Sequence, residues 1–218
     1  MPRTPREPRE TRLRQGSRQR REHEKQELRQ AIRDAAATLF ETHGYEGFSL
    51  RQVAEEVGYT PTTIYLYFAD KDALLFEIAD EGFVRFGEQI HTAAAAVSNP
   101  VERLWAIGHA YLAFAEQNPV YYQLMFMQRS DFLLAKREGE RRPRIDVLGI
   151  VRETVQAGMD DGLIRPGDAA TFADGLWAVC HGIAALRISK LPFTAERASA
   201  AADMTLGAML AGMRPATG

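Results

Sequence analysis

Residues 49–75, "SLRQVAEEVGYTPTTIYLYFADKDALL", hold a contradiction on which the fold turns. Their middle, Thr62 to Phe68, is built of β-branched and aromatic residues that favour strands, yet helical patterns flank it on both sides. Local end signals resolve the conflict. Ser49 can cap one helix, with Gln52 three residues on completing a capping box and Leu50, Val53, Ala54 and Val57 as the apolar stripe. Gly58 permits a tight turn, Thr60 is a good N-cap, and Pro61 falls at the first helical position, where its missing N–H costs nothing. Asp70, or Ala69 before it, opens the next helix through Lys71, Leu74, Leu75 and Ile78. A lone strand between these helices would have no partner. The stretch therefore reads as a short helix with Ile64 and Phe68 facing inward and Thr62, Thr63, Leu66 and Tyr67 outward or toward the edge.

Upstream, Leu28, Ile32, Ala35 and Leu39 fall at helical spacing, and Gly44 supplies a stop. Residues 1–23 repeat Arg, Pro and Glu with almost no apolar side chains, so they read as a disordered basic arm. Charge is polarised. Residues 1–33 hold 11 Lys or Arg against 5 Asp or Glu, and the remainder 16 against 24, beneath a formal net charge of −2. Downstream of Phe86, long helical patterns are broken at "SNP" (98–100), "QNP" (117–119), "RRP" (141–143), "IRPGD" (164–168) and "KLPF" (190–193), with no alternating pattern. An all-α protein of nine or ten helices is expected. The single Cys180 excludes an internal disulfide, and five scattered histidines show no metal-ligand spacing, so neither metal nor cofactor is expected. No apolar run approaches the roughly 20 residues of a bilayer span, and no apolar signal segment follows the charged N-terminus, so a soluble cytoplasmic protein is expected.

Two short capped helices joined by a Gly-containing turn, the second presenting hydroxyls and aromatics, make a helix-turn-helix. The hydroxyls of Ser49, Thr60, Thr62 and Thr63 can bond phosphates or base edges, Tyr65 and Tyr67 can reach the backbone, and Arg51 and Lys71 supply charge. The bland alternative makes Ser49 and Thr60 merely caps, Tyr65 core and Lys71 an ordinary first-turn residue. It leaves unexplained why exposed Thr and Tyr stand where a solvated face would carry Glu and Lys.

"GYEGFSLRQVAEEVGYTPTTIYLYFADKDALL" (44–75) resembles the DNA-binding domain of the TetR family of one-component repressors, in its Gly44-Tyr45, its run from Leu50 to Ala54, Gly58, Ile64 to Phe68, and Lys71 with Leu74. The resemblance implies a three-helix DNA-binding domain at 24–72, a linking fourth helix at about 70–88 acting as a lever, and a helical ligand-binding and dimerisation domain at 89–213. It implies DNA contacts at Arg51, Thr62, Thr63, Tyr65, Tyr67 and Lys71, with Ser49 and Thr60 close behind. Leu66, at a variable position, can make only apolar contacts. The Arg-rich arm either follows the minor groove and neighbouring phosphates or is an unstructured tail.

Residues 101–135 are dense in Trp105, Tyr111, Phe114, Tyr121, Tyr122, Met125, Phe126, Met127 and Phe132, most of them core and some able to line an apolar cavity. "LWAVCHGIAAL" (176–186) resembles the Trp-His-Gly signature of one C-terminal subclass of the family. Trp177 and His181 stand four apart on one face, as ligand contacts or as a packing node, with Gly182 allowing close approach; Cys180 reads as a small core residue. Candidate ligand contacts are Trp105, His109, Leu112, Tyr122, Phe126, Trp177 and His181. The small-residue helix at 195–212 and the one at 169–189 are expected to pack against their copies in a homodimer, setting two recognition helices one DNA turn apart. The resulting expectation is a repressor that binds a partly palindromic double-stranded operator and is released by a largely apolar small molecule. An all-α enzyme lacks paired carboxylates or a nucleophile with its base, and a helix-turn-helix protein adaptor would not shift DNA.

Overall fold

The computed structural model describes residues 9–127, 145–189 and 191–215. They form α1 (Arg9–Gly47), α2 (Leu50–Glu56), α3 (Pro61–Tyr65), α4 (Lys71–Ala95), α5 (Pro100–Gln117), α6 (Pro119–Tyr122) continued by a π-helical turn (Gln123–Met127), α7 (Val147–Asp160), α8 (Ala169–Ile188) and α9 (Ala195–Gly212). No strand occurs among the described residues. The chain divides into two units, Met1–Leu75 and Phe76–Gly218. Residues 1–8 of the expected arm, Phe132 and the "RRP" break lie outside the described residues.

In the first unit the helix expected from Lys25 begins at Arg9 instead. Arg, Gln and Glu are good helix formers, and local pairs four residues apart support the extension: Gln26 donates to Glu22 at 3.1 Å, and His23 lies 3.2 Å from Glu27. Every side chain from Arg18 to Glu27 is exposed, so these residues gain nothing from packing. Burial starts with Ile32, Ala36 and Phe40. Gly44, at φ +70°, breaks the helix where a stop was expected, since only glycine adopts that backbone without strain. Phe48, Leu50, Val53, Ala54, Ile64, Phe68, Leu74 and Leu75 complete a core around which α2 and α3 are held.

The second unit takes the rest of α4 and adds α5 to α9. Asn99 accepts from the amides of Val101 and Glu102 at the start of α5, and Asp168 and Thr194 cap α8 and α9, so three of the Pro-marked breaks become capped helix starts, whereas Asn118 at the "QNP" break makes no side-chain cap bond to α6. Phe86 meets Tyr111, Phe114 and Phe126 edge-on at ring separations of 5.2 to 5.7 Å, which fixes α4, α5 and the π-helical turn together. At Gly108 a Cβ would come within 2.8 Å of Leu206, so the missing side chain lets α9 press onto α5.

Gly182, expected to admit a neighbouring backbone, faces open space in the single chain. Among the described residues one helix, α8, has the length and mean hydropathy (1.3) of a membrane-crossing helix, where no such run is expected from the sequence. Asp174, His181 and Arg187 interrupt it, and its buried residues Ala173, Leu176, Cys180, Ile183 and Ala184 belong to the core.

Candidate nucleic-acid interface and effector cleft

Two local bonds set the first site. The Ser49 hydroxyl accepts from the Gln52 amide at 3.4 Å and donates to the Gln52 side chain at 3.0 Å, starting α2. Thr60 accepts from the Thr63 amide at 3.3 Å, and its hydroxyl lies 3.0 Å from that of Thr63. Gly58, at φ +74°, turns the chain between the helices. Beyond Tyr65 the amides of Tyr67 and Phe68 both bond to the Ile64 carbonyl, so the helical turn continues to the buried Phe68.

With Ile64 and Phe68 buried, the opposite face is offered to solvent. Thr60, Thr62, Arg51 and Ser49 are exposed, Thr63 and Tyr67 half-buried, Tyr65 55% exposed and Leu66 81% exposed. Tyr59 is also half exposed beside this face, a position the sequence reading did not single out. Lys71 differs from the others. Its Nζ donates to the Tyr45 carbonyl at 2.9 Å and sits 4.0 Å from the centre of the Tyr45 ring, whose hydroxyl bonds Asp72 at 2.5 Å. It therefore ties the end of α1 to the start of α4, with two ammonium protons left for another acceptor.

The candidate ligand residues separate into distinct places in the second unit. Tyr122 is fully buried, and Phe126 belongs to the aromatic core beside it at 5.0 Å. Trp177, Tyr111, Tyr122 and His181 form one hydrogen-bonded chain: the indole N–H donates to the Tyr111 hydroxyl at 3.3 Å, the two phenols lie 2.8 Å apart, and Tyr122 is 2.8 Å from His181 Nδ1. An indole can only donate, so both phenol protons find an acceptor if Tyr111 donates to Tyr122 and Tyr122 to Nδ1, with the imidazole proton on Nε2. Burial pushes the Tyr111 phenol up to about 12 and raises Tyr122 further. Beside this chain lies a small apolar cavity of about 40 Å³ lined by Tyr111, Trp177, Cys180 and Leu206. Cys180 is a core residue, its thiol pushed up to about 12 by burial.

His109 and Leu112 line a separate cleft of about 180 Å³ between α5, α8 and α9, with Trp105 packed against the His109 ring at 4.7 Å. Three polar residues there escaped the sequence reading: Glu116, Arg187 and Ser199. Arg187 lies 3.6 Å from Glu116, and His109 Nε2 lies 3.3 Å from Asp203. Neither Arg187 Nε nor His109 Nε2 makes a hydrogen bond, although both atoms are buried.

Comparison with known proteins agrees with this division. The family model of bacterial regulatory proteins, tetR family, matches residues 32–78, and the model described as Tetracyclin repressor-like, C-terminal domain, matches residues 104–212, half of the chain. The second match does not single out the Trp-His-Gly subclass. The HTH-type transcriptional regulator HbdR of Aromatoleum sp. (strain CIB) is 28% identical over 65% of this chain, which spans 62% of that regulator. A solved structure of AibR in complex with isovaleryl coenzyme A and operator DNA is 26% identical, with a TM-score of 0.64, over 83% of this chain and 96% of AibR. A protein of unknown function from Rhodococcus sp. RHA1 gives a TM-score of 0.68 at 25% identity, over 86% of this chain and 96% of its own.

Proposed function

Given that this chain belongs to the TetR family of bacterial regulatory proteins, we propose that it is a DNA-binding transcriptional repressor, working in the cytoplasm as a dimer on a partly palindromic operator. The observation that carries the reading is α3: a helix anchored by buried Ile64 and Phe68 whose other face offers Thr62, Tyr65 and Leu66 to solvent. Arg51, Ser49, Thr60, Thr63 and Tyr67 surround it with groups that bond phosphates or base edges. Lys71 reaches phosphate with the protons that Tyr45 leaves free.

Release follows as a population shift. A small molecule with an apolar body enters the second unit and binds better to the conformation whose recognition helices are badly spaced, so operator affinity falls by that difference. AibR, solved with an acyl-coenzyme A and operator DNA, is a relative with both kinds of partner. Here α4, running from the first unit into the second, is the lever.

Footprinting of the purified protein on the DNA upstream of its own coding sequence tests the proposal. A protected, two-fold related site is expected, and Tyr65→Ala should weaken it by about 1–3 kcal/mol if the ring meets the duplex. A protein that protects no DNA at any salt concentration is not this regulator.

A further inference from the structure

We propose that the cleft between α5, α8 and α9 is the effector site and that it selects an aliphatic carboxylate, whose anionic head is held by Arg187. The proposal rests on the regulator reading and adds the chemistry of the effector. The middle of the cleft is aliphatic, with Leu112 of α5, Ile183 of α8 and Ala198 and Ala202 of α9 as its walls. Its ionisable residues on α5, His109 and Glu116, are two helical turns, about 10 Å, apart, and Ser199 adds one hydroxyl on the α9 side. Such a slot suits an elongated chain with a head group at the Arg187 and Glu116 end.

The guanidinium identifies the head. It carries five N–H donors, and the half-exposed Glu116 carboxylate lies near one of its terminal nitrogens, Nη2, at 3.6 Å. Nε is buried and bonds to no protein group, which is costly for a charged donor unless something else accepts from it. A carboxylate entering the cleft supplies that acceptor in a low-dielectric setting, while its chain replaces water along the aliphatic walls. Glu116 then opposes the incoming charge.

The site also remains open in a dimer. By the 3.6-residue period, Ile183 and Arg187 lie on the side of α8 away from Ala178 and Gly182, and Ala198 and Ala202 on the side of α9 away from Met204. Copies meeting through those outer faces leave the cleft free.

Titration of the full-length protein with octanoate, 1-octanol and acetate, followed by calorimetry without DNA, tests the assignment. Octanoate should bind, with 1-octanol and acetate each at least about tenfold weaker, the first lacking the charge and the second the chain. Arg187→Gln should weaken octanoate by about tenfold or more. Glu116→Gln, at an exposed carboxylate, should tighten it severalfold by removing the opposing charge, a gain that damage to folding cannot produce. Equal binding of octanoate and 1-octanol, or no tightening in Glu116→Gln, overturns the proposal. Operator binding of the ligand-free protein, measured alongside, reports separately on the regulator reading.

Discussion

Lys71 and Arg51 carry the same charge into the helix-turn-helix and differ in what holds them. Arg51 is exposed, so Arg51→Ala should leave thermal stability within about 0.5 kcal/mol while weakening operator binding. Lys71 donates to the Tyr45 carbonyl and lies over its ring, so Lys71→Ala should lose about 1–2 kcal/mol of stability as well as affinity. Thermal melts beside gel shifts separate the two; equal melting temperatures for both variants would remove the tie between α1 and α4. In the second unit Tyr111 makes a pH prediction. Its folded phenol is held up at about 12 by burial, whereas an unfolded tyrosine releases its proton near 10. Stability is thus intact below about pH 10 and falls as pH climbs toward 12, and the late phenolate absorbance should appear together with loss of helical circular dichroism. Tyr111→Phe should lessen that alkaline loss.

At the scale of elements, the sequence was most legible where a helix states its own ends. Ser49, Gly58, Thr60 and Pro61 decided α2 and α3 against strand propensity, and the caps predicted there are the bonds observed. Helix α1 runs through residues whose composition predicts a disordered arm, because Arg, Gln and Glu can sustain a helix by pairs four apart with no core. The ligand-binding half was less legible. Arg187 and Glu116 are separated by about half of the second unit in sequence, and no local pattern announces that α8 and α5 bring them together. The aromatic run could be seen as core or pocket, and the difference depends on packing that only the fold supplies. Because the α3 cap is local, its removal has a local cost. Thr60→Ala should reduce stability by about 1 kcal/mol by removing the hydroxyl that shares the Thr63 amide with the Thr60 carbonyl, while Thr60→Ser should restore most of it, as read by urea unfolding. Equal losses for both substitutions would mean that the threonine methyl, and not the hydroxyl, supports the helix.

For the whole molecule, the outer faces of α8 and α9 pose the remaining question. Leu186, on the same side of α8 as Gly182, and Met204 of α9 are 46 and 67% exposed in the single chain, and α8 is apolar enough to resemble a membrane span. Leaving such surface in water is unfavourable by roughly 25 cal/mol for each Å² that a partner could cover, and Gly182 and Ala208 on these helices keep the approach unobstructed. A second copy is the partner that a two-fold operator demands, since one α3 reads only one half-site. Leu186→Glu combined with Met204→Glu places two charges on this surface without touching the core, so the variant should fold with unchanged helix content. It should sediment as a monomer and bind operator at least about a hundredfold more weakly, because the second half-site no longer adds to the first. Unchanged sedimentation as a dimer would show that α8 and α9 meet something other than their copies. A monomer with full operator affinity would show instead that one recognition helix suffices and that half-site spacing does not set the assembly, with α3 still the DNA-reading helix.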